Sequence, residues 1–403
     1  MAGRDSANGK NRRRRRVVTL GGAAGALMAA AAMATGSAVT AAPAKADIDA
    51  LLDPIIQPLM TSLSDAIAGF DPAAATDLTS WTDSLLASLN SLDIGAAVPS
   101  AAEPAAAAAS SSTSGTYDIP ITMQEVTEPT VQATIAGSSP QTLLVDTGSS
   151  GLVIPWENVG LSQVLSLGFP TGLGFSGYSG GVDYLYLTYT DATIDYGNGA
   201  SALDTTGAPI DVEILSWPTS LGSPSSFEQF LADDKVTGIL GIGAAGTGPT
   251  TSPLEAAGYE GVTVNIPGNE LIVAPANPGT AIATLPGAPT PATTLTEVVT
   301  SGNTIVGSGS VFDDVDSGGV YGTIPSTIAS AVAQGDKISV YDGNILLYQY
   351  TVGTDSLGTN EAPAVFTGTA GTNSIDSGVE PYLLGPIYIN YASDTLSFDK
   401  PLP

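Results

Sequence analysis

Two stretches of this chain share one short pattern, and each places a carboxylate on a tight turn. The first runs Gln141–Thr–Leu–Leu–Val–Asp146–Thr–Gly–Ser–Ser–Gly–Leu–Val–Ile–Pro155. The second runs Val311–Phe–Asp–Asp–Val–Asp316–Ser–Gly–Gly–Val–Tyr–Gly–Thr–Ile–Pro325. In both, an apolar approach ends in Asp, a small hydroxyl residue and Gly follow, and Pro comes nine positions after the Asp. The two Asp residues lie 170 positions apart, about one lobe of β structure. A carboxylate supplied twice on such turns can form a facing pair. Two adjacent carboxylates do not both ionise cheaply, so the pair shares one proton. One member then acts as base on a water while the other acts as acid.

Composition removes most competing chemistries. The chain has no His and no Cys, which excludes a Ser-His-Asp triad, a thiol nucleophile and the usual zinc sites. Hydrolysis would have to run on carboxylates, on unusually activated hydroxyls or on an oxygen-ligated metal. No acidic cluster has the spacing of a calcium-binding EF-hand loop.

Charge is divided along the chain. Eight of the 11 basic residues (Arg4, Lys10, Arg12 to Arg16 and Lys45) precede Asp47, and only Lys235, Lys337 and Lys400 follow, among most of the 39 acids. Three lysines assemble no phosphate-neutralising patch, so nucleic acid is excluded as a partner. Self-repulsion disfavours docking to anionic membranes. The basic run, the Ala-rich apolar stretch from Val17 to about Met33 and the small-residue site Ala44–Lys–Ala46 read as a signal peptide over residues 1–46. Its arginine pairs fit export by either the Sec or the twin-arginine route. No later segment reaches 18 uninterrupted apolar residues, so no stable membrane span is expected. The expected location is secreted or cell-surface associated.

Residues 47–95 carry Leu52, Ile55, Ile56, Leu59, Leu63 and Ile67, then Leu78, Trp81, Leu85, Leu89 and Leu92, at helical steps. They read as two amphipathic helices: a hairpin packed on the main body, a removable pro-segment, or a surface that docks on the envelope or a partner. Between Asp47 and Gly115 there is no Lys or Arg. An acidic segment is repelled from an acidic cleft, so this one is not expected to silence the pair by ion pairing. Residues 96–115 form an Ala/Pro/Ser linker with too little apolar bulk to fold. From Thr116 onward, short β-branched runs alternate with Gly, Pro, Asn and Asp, which predicts an all-β body. The Pro- and Gly-rich stretch from Pro275 to about Thr294 is the expected connection between lobes.

The run Gly137–Ser–Ser–Pro–Gln–Thr–Leu–Leu–Val–Asp146–Thr–Gly–Ser–Ser resembles the N-lobe signature of pepsin-like aspartic peptidases. In each lobe of that family an apolar-apolar-Gly segment crosses beneath the catalytic turn. Gly238–Ile–Leu–Gly241 and Leu383–Leu–Gly385 come in the matching order. The resemblance covers about residues 116–403 and is nearest to the secreted mycobacterial branch associated with PE/PGRS proteins, although no PE or PGRS segment is visible. It implies a two-lobed body, with an N-terminal lobe over 116–276 and a C-terminal lobe over 277–403, preceded by the short helical segment. It implies an aspartic endopeptidase whose catalytic residues are Asp146 and Asp316, with Thr147, Gly148, Ser149, Ser317 and Gly318 supporting them. Tyr178 and Gly180 would form the substrate-covering flap. No metal, nucleotide or organic cofactor is implied. The partner is a polypeptide substrate, either a secreted envelope protein or the chain's own linker; the alternative is an inactive shell that binds an envelope partner.

Four departures from that pattern matter. Gly319 stands where a second supporting hydroxyl belongs; either Asp316 takes a larger share of the proton or Ser317 or water fills the gap. Asp313 and Asp314 occupy normally apolar positions, and either oppose ionisation of the pair or mark a solvated strand end. Val153 replaces the Trp that backs the flap, while Trp156 lies three residues on. Asp376–Ser–Gly378 lacks an apolar lead-in and is expected to be a surface turn.

Overall fold

The computed structural model describes residues 115–190, 192–197, 203, 205–220, 222–244, 248–367 and 373–401. The expected signal peptide, the helical segment 47–95 and the linker through 114 lie outside the described residues.

The body is built from three sheets. A nine-stranded sheet is formed by residues from the first half and a seven-stranded sheet by residues from the second. A six-stranded antiparallel sheet takes three strands from each half, in the order Tyr117–Pro120, Glu270–Val273, Gly261–Asn265, Ile387–Asn390, Thr395–Asp399 and Ala281–Pro286. Its central join pairs Val262 with Ile389. Alternation builds these strands: Val131, Ala133 and Ile135 are buried while Gln132 between them is exposed. The stretch expected to be only a connection carries Ala281–Pro286, with Ala283 and Leu285 buried on one face. Its Pro and Gly residues bound the strand rather than preventing it.

Each half threads a strand between the two arms of its Asp turn. In the first half, Gly238–Ile242 runs parallel to Gln141–Asp146 and antiparallel to Ser150–Pro155. Gly238–Ile242 and Ser150–Pro155 are buried throughout, as strands enclosed on both faces must be. In the second half the threaded strand is Ser374–Asp376, parallel to Phe312–Asp314 and paired through Asp376 with Thr323. This corrects the expectation for Leu383–Leu–Gly385. Leu383 and Leu384 lie on the helix Glu380–Leu384 and are 39% and 44% exposed. The apolar-apolar-Gly rule misassigned the strand because Asp376 and, just past the strand's end, Ser377 precede Gly378 where the rule expects two apolar residues.

Candidate active site

Strands Gln141–Asp146 and Thr304–Asp314 deliver Asp146 and Asp316 to the ends of two facing turns. The Gly148 N–H donates to Asp146 Oδ1 at 2.9 Å and to Asp316 Oδ1 at 3.1 Å, so one backbone group touches both carboxyls. The Gly318 N–H donates to Asp316 Oδ1 at 2.8 Å. A Cβ at residue 148 would lie 2.6 Å from Asp316 Oδ1, so only Gly permits this approach. Both Asp side chains are buried. Burial raises the Asp146 pKa well above the carboxylate range, and the Asp316 charge and hydrogen bonding raise it further, while Ser149 and the Gly148 N–H oppose the shift.

The turns are clasped by exchanged hydrogen bonds. Thr147 Oγ1 donates to the Val315 carbonyl at 2.7 Å, and Ser317 Oγ donates to the Val145 carbonyl at 2.6 Å. The Ser317 N–H donates to Thr147 Oγ1 at 2.8 Å and the Thr147 N–H to Ser317 Oγ at 3.1 Å. Ser149 Oγ donates to Asp146 Oδ2 at 2.5 Å. Sequence reasoning missed Tyr382, fully buried on the helix Glu380–Leu384, whose Oη lies 2.8 Å from Thr147 Oγ1 and donates to the Val315 carbonyl at 2.8 Å. Nothing in its local sequence points to the turns 65 or more residues away.

Tyr178 ends the strand Gly172–Tyr178, which forms a hairpin with Val182–Tyr189. The turn is closed by the Gly181 N–H donating to the Tyr178 carbonyl at 3.0 Å, with Gly181 at φ +100°. The Tyr178 ring is half-buried and stacks on Tyr184, Phe227 and Phe230 at centroid distances of 5.6, 5.7 and 5.7 Å. Its hydroxyl is buried, and its pKa is raised first by burial, then by Tyr184 and the Asp146 charge, while Ser149 opposes the shift. Gly180 sits against the Phe230 ring, leaving no room for a Cβ. The hairpin tip is therefore packed on the helix Phe227–Asp233 rather than free-standing. Val153, at the place of the family's Trp, joins the same cluster.

Two expectations on the acidic approach are overturned. Asp313 is fully buried and accepts from Tyr348 Oη at 2.8 Å, so this strand position is not solvated. Asp376 is 3% exposed and stands next to Gly319, not on a surface turn. Among the described residues, Glu157, Glu213 and Glu228 bring ligand oxygens within 4.8 Å of one another and are the group that could hold a metal ion. They lie on the helix Trp156–Val159, the strand Ile210–Pro218 and the helix Phe227–Asp233, whose Phe227 and Phe230 pack on Tyr178.

The fold is that of an aspartic proteinase: the crystal structure of aspartic proteinase from Irpex lacteus superposes with a TM-score of 0.52, covering 71% of this chain and 98% of that one at 15% identity. Residues 117–397 match the PE-PGRS C-terminal aspartyl peptidase-like domain, and the chain belongs to that family. PE cleavage protein A of Mycobacterium tuberculosis is 36% identical over 309 residues, 70% of this chain and 52% of that protein. Its Mycobacterium marinum counterpart is 36% identical over 191 residues, 42% of this chain and 33% of that protein. The chain thus spans about half the length of the M. tuberculosis protein it matches.

Proposed function

We propose that this protein is an aspartic endopeptidase that hydrolyses peptide bonds with a water held between Asp146 and Asp316. The observation that carries the reading is the single Gly148 N–H donating to both carboxyls, which holds them close enough to share a proton. As the water adds to the scissile carbonyl, one carboxylate takes its proton and the other carboxyl protonates the carbonyl oxygen. Return of a proton to the amide nitrogen then releases the amine. Thr147, Ser317 and Ser149 fix the geometry, and Tyr178 with Gly180 covers an extended substrate and excludes water.

The name of the relatives, PE cleavage protein A, supports a polypeptide substrate carrying a PE segment, with the Ala/Pro/Ser stretch 96–115 as a second target because its small, weakly apolar residues suit an extended chain in a cleft. The basic run and Ala-rich stretch at the front support export to the cell surface or beyond, and no helix of the described residues is long and apolar enough to cross a membrane. Asp146→Asn and Asp316→Asn should each abolish peptide cleavage while leaving circular dichroism unchanged, because a carboxamide does not shuttle the proton. Their losses should not add, since the pair acts as a unit. Cleavage at the wild-type rate by either folded variant would refute the assignment. A statine-type transition-state mimic should inhibit the wild type.

A further inference from the structure

The two halves place their Asp turns in equivalent frames, which allows position-by-position comparison. Ile239 pairs with Leu144, two residues before Asp146, and with Val153, seven residues after it. Asp376 pairs with Asp314, two residues before Asp316, and with Thr323, seven residues after it. Asp376 therefore occupies the frame position of Ile239, and a carboxyl replaces an apolar side chain beneath the second turn. Ser149 corresponds in the same way to Gly319. The two departures meet in space: a Cβ at residue 319 would lie 2.8 Å from Asp376 Oδ2 and closer still to Oδ1. The Asp376 carboxyl thus fills the space a side chain at 319 would take. Gly319 has no positive φ, so space and not backbone conformation demands Gly there.

In the first half that space holds the Ser149 hydroxyl, which donates to the outer oxygen of Asp146. Asp376 Oδ1 accepts from the Gly378 N–H at 2.8 Å, while Oδ2 is buried with no hydrogen bond. We propose that Asp376 is a positioning residue whose protonated carboxyl replaces the hydroxyl missing at 319 and supports Asp316, so that the site holds three carboxyls rather than two. The inference rests on the peptidase reading of Asp146 and Asp316. The charged groups facing Asp376 are Asp316, Asp314 and Asp313, all on the strand and turn leading to Gly318, while the neighbouring strand Thr323–Pro325 contributes the neutral Thr323. Burial first, then the Asp316 and Asp314 charges, raises the Asp376 pKa well above its usual range, which keeps the carboxyl neutral and able to donate.

The test compares the full chain with Asp376→Ala, Asp376→Asn, Gly319→Ser and the double variant Gly319→Ser/Asp376→Ala, all confirmed folded, on one peptide across acid to neutral pH. Asp376→Ala should lower kcat about tenfold or more with KM nearly unchanged, the rate equivalent of one hydrogen bond to a charged group. Asp376→Asn keeps a donor that cannot ionise, so it should retain most of kcat and move the alkaline limb of the profile to higher pH. Gly319→Ser alone should be impaired by collision with Asp376, and the double variant should recover activity over Asp376→Ala. Unchanged kcat and pH profile in both single Asp376 variants would overturn the proposal, as would a folded double variant no better than Asp376→Ala. If the wild type cleaves nothing, the peptidase reading fails by itself. Equilibrium unfolding then decides the Asp376 claim: Asp376→Asn should gain stability over wild type as pH rises from acid to neutral, and less so in an Asp316→Asn background. A gain independent of pH or of Asp316 would overturn it.

Discussion

Ser317 is tied to the opposite turn by both its hydroxyl and its backbone. Its Oγ donates to the Val145 carbonyl and accepts from the Thr147 N–H, both buried. Ser317→Ala should cost about 2–3 kcal/mol, because a buried acceptor and a buried donor lose their partner together. Ser317→Thr keeps the hydroxyl and should cost less than about 1 kcal/mol, since it adds only one methyl. Urea unfolding of the two variants checks the difference, and equal costs would mean the hydroxyl is not what holds the turns. At this scale the sequence was informative wherever a residue lies on one of the two Asp turns themselves. The repeated Asp-hydroxyl-Gly pattern points to Asp146 and Asp316 by type and spacing, while the supporting places of Thr147, Gly148, Ser149, Ser317 and Gly318 came from the resemblance to pepsin-like peptidases. Tyr382 and Asp376 were not legible, because each reaches the turns from an element about 60 or more residues later in the chain. For Asp376, the polar character that placed it on a surface turn is what its buried position makes unusual.

The flap hairpin shows how an element's partners decide what a substitution does. Gly residues around Tyr178 suggest a mobile tip whose mutation costs little stability. Instead the ring stacks on Tyr184, Phe227 and Phe230, and Gly180 rests against Phe230. Tyr178→Ala should therefore lower both turnover and stability, the latter by about 2 kcal/mol for a half-buried aromatic stack. Tyr178→Phe should keep the stability and isolate the role of the hydroxyl. Phe230→Ala should reproduce much of the Tyr178→Ala effect on kcat without touching substrate. A thermal midpoint unchanged in Tyr178→Ala would show that the hairpin is not anchored by this stack. The hairpin was expected from the resemblance, which places a flap between Asp146 and Gly238–Ile242, with glycines on both sides of Tyr178. The helix Phe227–Asp233 that anchors it was not, since seven residues give two turns and no sustained period. Ser226 caps it, its Oγ accepting from the Gln229 N–H at 3.2 Å, a signal that marks a helix start but not its destination.

Across the whole molecule, acidity is built into the interior as well as the surface. The formal net charge is −28, and several carboxyls are buried. Burial pushes Asp211 up to about 7 against the hydroxyls of Thr250 and Thr188. Burial, then the Glu228 and Glu157 charges, pushes Glu213 up to about 8. Burial and Asp313 push Glu297 up to about 8, and burial pushes Asp313 up to about 7. Burial and Glu361 push Glu380 up to about 7. Each group is raised in the fold above its unfolded value of 3.8 or 4.5. Its neutral form is the one the interior accepts, so its contribution to stability is complete below the unfolded pKa. As pH rises toward the folded values, the unfolded chain releases protons that the folded one retains, and stability falls. Self-repulsion of the ionised surface acts in the same direction. The thermal midpoint should therefore be highest at roughly pH 4 and decline steadily toward pH 8. Glu297→Gln and Asp211→Asn should flatten that decline, because each replaces a titrating buried group with a neutral one of similar shape. Differential scanning calorimetry across this range is the measurement. A midpoint that climbs between pH 5 and pH 8 would mean that these carboxyls are ionised and paired in the fold.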